Sequence, residues 1–115
     1  MTITLYGIKN CDTVRKARTW LTERGVAYNF HDYKIEGIER FRLKAWCDEL
    51  GWELLLNRAS TTFRKLPQVD KKNLNKTKSI SLMLTVPSII KRPVIDLGKR
   101  RLVGFNTNTY AETIK

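Results

Sequence analysis

The stretch Ile3–Leu21, ITLYGIKNCDTVRKARTWL, changes its period at a cysteine. Up to Tyr6 it alternates, with Ile3 and Leu5 on one side, Thr4 and Tyr6 on the other and Gly7 closing the run, which predicts a strand over Thr2–Tyr6. From Asp12 onward Val14, Ala17 and Leu21 recur at helical spacing with Trp20 beside them. Arg15, Lys16 and Arg18 fill the opposite face, and Gly25 stands where a C-terminal cap would. The unit reads as strand, short loop and helix, with Cys11 at the join.

Outward from this unit, Val26–His31 alternates again, with Val26, Tyr28 and Phe30 on one face, and predicts a second strand. Strand, helix and strand of this length form a right-handed βαβ unit with parallel strands. The loop carrying Cys11 then lies at the carboxyl end of the first strand, where open α/β sheets bind ligands. Farther on, Ile38, Phe41, Ala45 and Trp46 make an apolar band running toward Gly51. A second helical stretch falls within Ser79–Val86, SISLMLTV, ended by Pro87. The intervening NRASTTFRKLPQVDKKNLNK is polar and basic and reads as loops and short turns punctuated by Phe63, Leu66 and Leu74. PVIDL (Pro93–Leu97) and RLVGF (Arg101–Phe105) flank GKR as a β-hairpin, and Thr107–Ile114 reads as a short helix capped by Asn106 or Thr107. The order β-α-β, helices, β-β-α is an α/β thioredoxin-like arrangement, a single domain over residues 1–115 with residues about 36–88 as a mostly helical insertion.

A chain of 115 residues has room for one compact domain and a modest core. Its first residues lack a basic segment followed by a long apolar run, and nowhere do ~18 uninterrupted apolar residues occur, so neither secretion nor a membrane is expected. Two cysteines, Cys11 and Cys47, without dense even spacing point to a reducing, cytoplasmic setting. With the lone His31 they do not supply the ligand spacing of a closed zinc site, and no metal or bound cofactor is expected. Lysine and arginine number 22 against 11 acidic residues, a formal charge of +11. No zinc-finger, RRM-like or basic-zipper pattern accompanies that charge. It reads as a basic solvated face that attracts small anions, with nucleic acid not expected as a partner and a monomer expected.

A thiol is nucleophilic as a thiolate, and a helix start lowers its pKa from about 8.5 toward roughly 3.5–7.5 through unpaired N–H groups and the macrodipole. Cys11 directly precedes the predicted helix. Lys9 and Arg15 add positive potential, Asp12 opposes it, and Asn10 offers an amide donor to the thiolate. A C-x-x-C motif would place a resolving thiol one turn on, but CDTV has Val14 there, so a mixed disulfide on Cys11 must be resolved by an external thiol or by Cys47. Cys47 lies between Leu43 and Leu50 on an apolar flank and reads as a small buried hydrophobe. His31 reads as an exposed strand-end residue, with activation of Cys11 as its alternative role. Arg58 and Arg92 are candidate anion clamps, and Pro93 is a candidate cis bond.

YGIKNCDTVRKARTWL, HDYK before a helical region, LLLNRASTTFRKL and PSIIKRPVIDLGKRRLVGF together resemble the ArsC family over almost the whole chain. That family includes glutaredoxin-coupled arsenate reductases, Spx transcriptional regulators and YffB-like reductases, and the nucleophile region is most similar to the last. The resemblance implies a thioredoxin-like fold, Cys11 as nucleophile, the regions of Arg58 and Arg92 facing it, and Pro93 as a cis-proline. It implies a thiol-dependent oxidoreductase that uses glutathione as co-substrate, or glutaredoxin as partner. Of the three arginines that help the arsenate reductases bind their oxyanion, Arg92 matches one, the segment around Arg58 matches another approximately, and the third falls at Gly104. The alternatives are an arsenate reductase proper or a Spx-like regulator that binds RNA polymerase.

Overall fold

In a computed structural model, which describes residues 2–114, the chain forms two compact units, one running up to Asp32 and again from Arg92 onward, the other covering Tyr33–Lys91. The first holds a four-stranded sheet in the order β2-β1-β3-β4, with β1 Thr4–Gly7, β2 Asn29–Asp32, β3 Val94–Asp96 and β4 Arg101–Val103. Strands β1 and β2 run parallel with Thr4 opposite Asn29 and Gly7 opposite Asp32, while β3 is antiparallel to both β1 and β4. Helix α1, Asp12–Glu23, makes the crossover between the parallel strands. It ends where the Gly25 N–H returns to the Thr22 carbonyl at 3.1 Å, with Gly25 at φ 68°.

The sheet face bearing Leu5, Ile95 and Leu102 packs against Val14, Ala17, Trp20 and Leu21 of α1 and against Tyr110 and Ile114 at the end of the chain. Ile3, Val26, Tyr28 and Phe30 close the edge of this core as partly buried residues, which is the strand face that their alternation marks. The first two strands start later than their alternation alone implies, because pairing begins at Thr4 and because the Val26 N–H is tied to the Leu21 carbonyl at 2.9 Å. The terminal helix spans Thr107–Thr113, and Asn106 is its cap, its side-chain oxygen accepting from the Thr109 N–H at 3.0 Å.

The second unit contains, among the described residues, six α-helices, α2 Tyr33–Glu36, α3 Arg40–Leu50, α4 Trp52–Leu55, α5 Thr61–Arg64, α6 Gln68–Lys71 and α7 Lys76–Thr85, and a 3-10 helix at Pro87–Ile89. The terminal helix Thr107–Thr113 is accordingly α8. The unit begins and ends three residues outside the expected 36–88, because α2 follows β2 directly and because Ile90 bridges to Leu56 while the Lys91 N–H bonds the Leu55 carbonyl at 2.7 Å. The apolar band expected on α3 is corrected. Leu43, Trp46 and Cys47, at i, i+3 and i+4, are buried, whereas Phe41 is 63 % exposed and Ala45 is exposed. The true stripe is the one that also contains Cys47. Among the described residues no helix is long and apolar enough to cross a membrane.

Candidate active site around Cys11

Cys11 is the residue that caps the start of α1, with extended backbone (φ −136°, ψ 121°), and its carbonyl accepts the Arg15 N–H at 2.9 Å. Its position is set from both sides. Gly7 ends β1, and a Cβ there would stand 2.7 Å from Val14 Cγ2, so strand and helix approach at a spacing that leaves no room for a larger residue. Val14 itself is fully buried. The loop from Ile8 to Cys11 is therefore held between two elements packed against each other, and it presents the Cys11 thiol half-buried at the carboxyl end of β1.

Four influences act on that thiol. Burial opposes ionisation, but it is outweighed by the Val14 N–H, by a hydrogen bond from the Arg92 side chain, by the charge of that guanidinium and by the Thr13 N–H, so the pKa lies below its ordinary value. The thiol closes no conventional cap hydrogen bond. The N–H groups of the first turn act on it as dipoles whose pull strengthens once the sulfur carries charge. Asp12, which the sequence sets against the thiolate, is engaged by the Arg15 guanidinium in an exposed ion pair. The two charges next to Cys11 on the helix thus largely cancel, and Arg92 carries the specific cationic role.

Arg92 reaches this place because β3 pairs with β1 and places residues 92–94 beside the end of β1; the Arg92–Pro93 peptide is cis, and Pro93 is buried. The Pro93 carbonyl accepts the Gly104 N–H at 2.8 Å, which ties the turn to the end of β4. Gly104 has φ 85°, a backbone conformation that an arginine adopts only with strain. Asn10 is exposed, and it is not among the groups that lower the thiol pKa. Arg58 belongs to the second unit, where it is exposed and its guanidinium lies 5.8 Å from the Trp52 ring centre. The His31 ring sits 4.7 Å from that of Tyr6. Cys47 is buried; that burial pushes its thiol up, against the charge of Lys76. Among the described residues no group of three or more His, Cys, Asp or Glu could hold a metal ion. Two features of the site carry no direct sequence signature: the separate roles of the Thr13 and Val14 amides, and the Gly7–Val14 contact that fixes the loop. A glycine that ends a strand just before a cysteine loop is the indirect signal for the second.

A parallel β-α-β unit continued by an antiparallel hairpin and a closing helix, with Cys11 at the first helix start and a cis-proline at the start of β3, defines a protein of the thioredoxin-like fold. The chain belongs to the ArsC family, whose model matches residues 6–113. A solved structure described as a YffB protein is 57% identical, with a TM-score of 0.96 over 98% of this chain and 99% of that one. An arsenate reductase (ArsC) related protein from Brucella melitensis is 47% identical, with a TM-score of 0.78 over 100% of this chain and 96% of its own. The global transcriptional regulator Spx of Streptococcus mutans is 32% identical over 106 residues, 90% of this chain and 77% of the relative.

Proposed function

We propose that the protein is a thiol–disulfide reductase in which Cys11 is the only exchanging thiol and glutathione, or a glutaredoxin, resolves the intermediate. The observation that carries this reading is the Cys11 thiol held below its ordinary pKa by Arg92 and the first amides of α1, in a motif whose second cysteine is replaced by the buried Val14. The Cys11 thiolate attacks one sulfur of a disulfide; a new S–S bond forms as the old one breaks, and the departing thiolate leaves with the electron pair and takes a proton from water. A glutathione thiolate then attacks the substrate sulfur of the mixed disulfide, forming a glutathione–substrate disulfide and returning Cys11 as thiolate, and a second glutathione thiolate attacks the glutathione sulfur of that disulfide, forming glutathione disulfide and expelling the second substrate thiolate, which takes a proton from water. Arg92 steadies the thiolate in the resting and regenerated states. Asn10 as a donor to the thiolate, Arg58 as a clamp for a carboxylate, and a single-domain arrangement of the two units are parts of the same proposal, as are a cytoplasmic location and a monomeric state. The test is glutathione-dependent reduction of a small disulfide. Cys11→Ser is expected to fall to the uncatalysed rate while Cys47→Ser retains activity. Activity surviving Cys11→Ser overturns the reading.

Arsenate reduction proper has weaker support, since position 104 holds a glycine at positive φ where the third arginine would be needed. The likeness to Spx favours a second reading, a regulator that binds RNA polymerase through the same fold. It predicts a polymerase complex that Cys11→Ser leaves intact, and no turnover with glutathione.

A further inference from the structure

On the outward side of α1, Asp12, Lys16, Thr19 and Glu23 recur at i, i+4, i+7 and i+11 and, with Trp20 and Phe105, line an open groove of ≈ 500 Å³. The near end, Asp12, is the residue bonded to Cys11, and the far end, Glu23, lies about 16 Å along the helix at ~1.5 Å per residue. Its aromatic side is already braced. Trp20 and Phe105 each meet the Tyr110 ring edge-on, at 5.3 and 5.2 Å between centres, and the Tyr110 hydroxyl donates to the Gly104 carbonyl at 2.6 Å. A groove braced before binding loses little conformational freedom when it is filled.

We propose that this groove seats the chain flanking the substrate's disulfide, so that the substrate is an acidic polypeptide whose cysteine becomes joined to Cys11; the inference rests on Cys11 being the exchanging thiol. Length is the first ground. A tripeptide spans about 10 Å when extended and leaves the distal part of the groove empty, whereas about five residues reach its end. Glutathione therefore fits the resolving role, and a longer chain fits the groove. Charge is the second. A formal charge of +11 draws an acidic partner and repels a second copy of this chain. Within the groove Asp12 is paired with Arg15, so the cation facing the occupant near Cys11 is Lys16 and the anion is the distal Glu23. That order favours an acidic residue close to the substrate cysteine and an apolar one over Trp20 and Phe105. In the exchange, the Cys11 thiolate attacks the polypeptide's sulfur, the Cys11–polypeptide disulfide forms, and the former partner thiolate leaves with the electron pair.

The probes are a nine-residue peptide with a central cysteine flanked by glutamates and a leucine at each end, its three-residue core, and neutral 2,2′-dipyridyl disulfide. Both peptides carry the cysteine as the thiopyridyl disulfide, so the leaving group is common to all three. The wild-type protein should react with the long peptide about tenfold faster than with the short one. Thr19→Glu, at an exposed helix position, and Phe105→Ala should remove that advantage while leaving the rate with dipyridyl disulfide unchanged. Equal rates for the two peptides, an advantage that survives Thr19→Glu, or an equal loss with all three probes overturns the groove assignment and leaves thiol exchange standing. No reaction of Cys11 with dipyridyl disulfide overturns the underlying reading, and this one with it. A dimer in sedimentation that Thr19→Glu dissociates assigns the groove to a second copy instead.

Discussion

At the scale of single residues the proposed chemistry rests on the pairing of Cys11 with Arg92. The guanidinium acts on the sulfur both as donor and as charge, so its removal leaves burial opposed only by the Val14 and Thr13 amides. Arg92→Leu is therefore expected to move the midpoint of Cys11 alkylation, followed with iodoacetamide against pH, upward from the lowered wild-type value, with slower alkylation at every pH below the new midpoint. An unchanged midpoint would show that the amides alone set it. The same shift has a consequence for stability. A thiol whose folded pKa lies below its unfolded one contributes stability that is fully present above the unfolded value and is lost as pH falls through the folded value. Chemical denaturation of Cys11→Ser should lack that rise. Cys47, raised by burial, acts with opposite sign at alkaline pH, which makes Cys11→Ser rather than a double variant the clean comparison.

Among the elements, the contact between the end of β1 and the first turn of α1 decides where the Cys11 thiol stands. Gly7→Ala would put a methyl group 2.7 Å from Val14 Cγ2, in a place where Val14 is fully enclosed and cannot give way freely. The expected cost is about 1–3 kcal/mol in the denaturant midpoint, with slower alkylation of Cys11 as the helix start is displaced. A variant as stable and as reactive as the wild type would mean that the strand and helix separate at little cost. The first strand, α1, the hairpin and the Asn106-capped helix are legible in the sequence, because each combines a clear period with a stop or cap residue. The face of α3 is not. Phe41 and Ala45 fit the same helical spacing as the buried stripe, and only packing reveals that Leu43, Trp46 and Cys47 win the interior while the Arg42 guanidinium lies 5.5 Å from the exposed Phe41 ring. The one-turn helices α5 and α6 fall where the sequence shows only loops, since four residues carry no period of their own. Of the site, Cys11 and the cis bond before Pro93 follow from sequence and resemblance. The link from Arg92 to the sulfur needed the β1–β3 pairing that brings residues 6 and 94 together.

For the molecule as a whole, the two thiols differ in every property that governs exchange. Cys11 is half-buried and ionises readily, while Cys47 is 5% exposed on α3, with its thiol pushed up. Exchange with a disulfide requires both a thiolate and access, so Cys47 reacts only through opening of the helical unit that encloses it. Treatment of the native protein with glutathione disulfide should therefore give one glutathione adduct by mass spectrometry, located at Cys11. Cys11→Ser should give none over the same period, and denaturant should make Cys47 reactive as well. Because the oxidant is anionic and the chain carries a formal charge of +11, the rate at Cys11 should also fall as ionic strength rises, whereas a neutral disulfide should show little salt dependence. Two adducts in the native state, or an internal Cys11–Cys47 disulfide, would mean that the buried thiol is within reach of the chemistry. The resolving role assigned to an external thiol would then pass to Cys47.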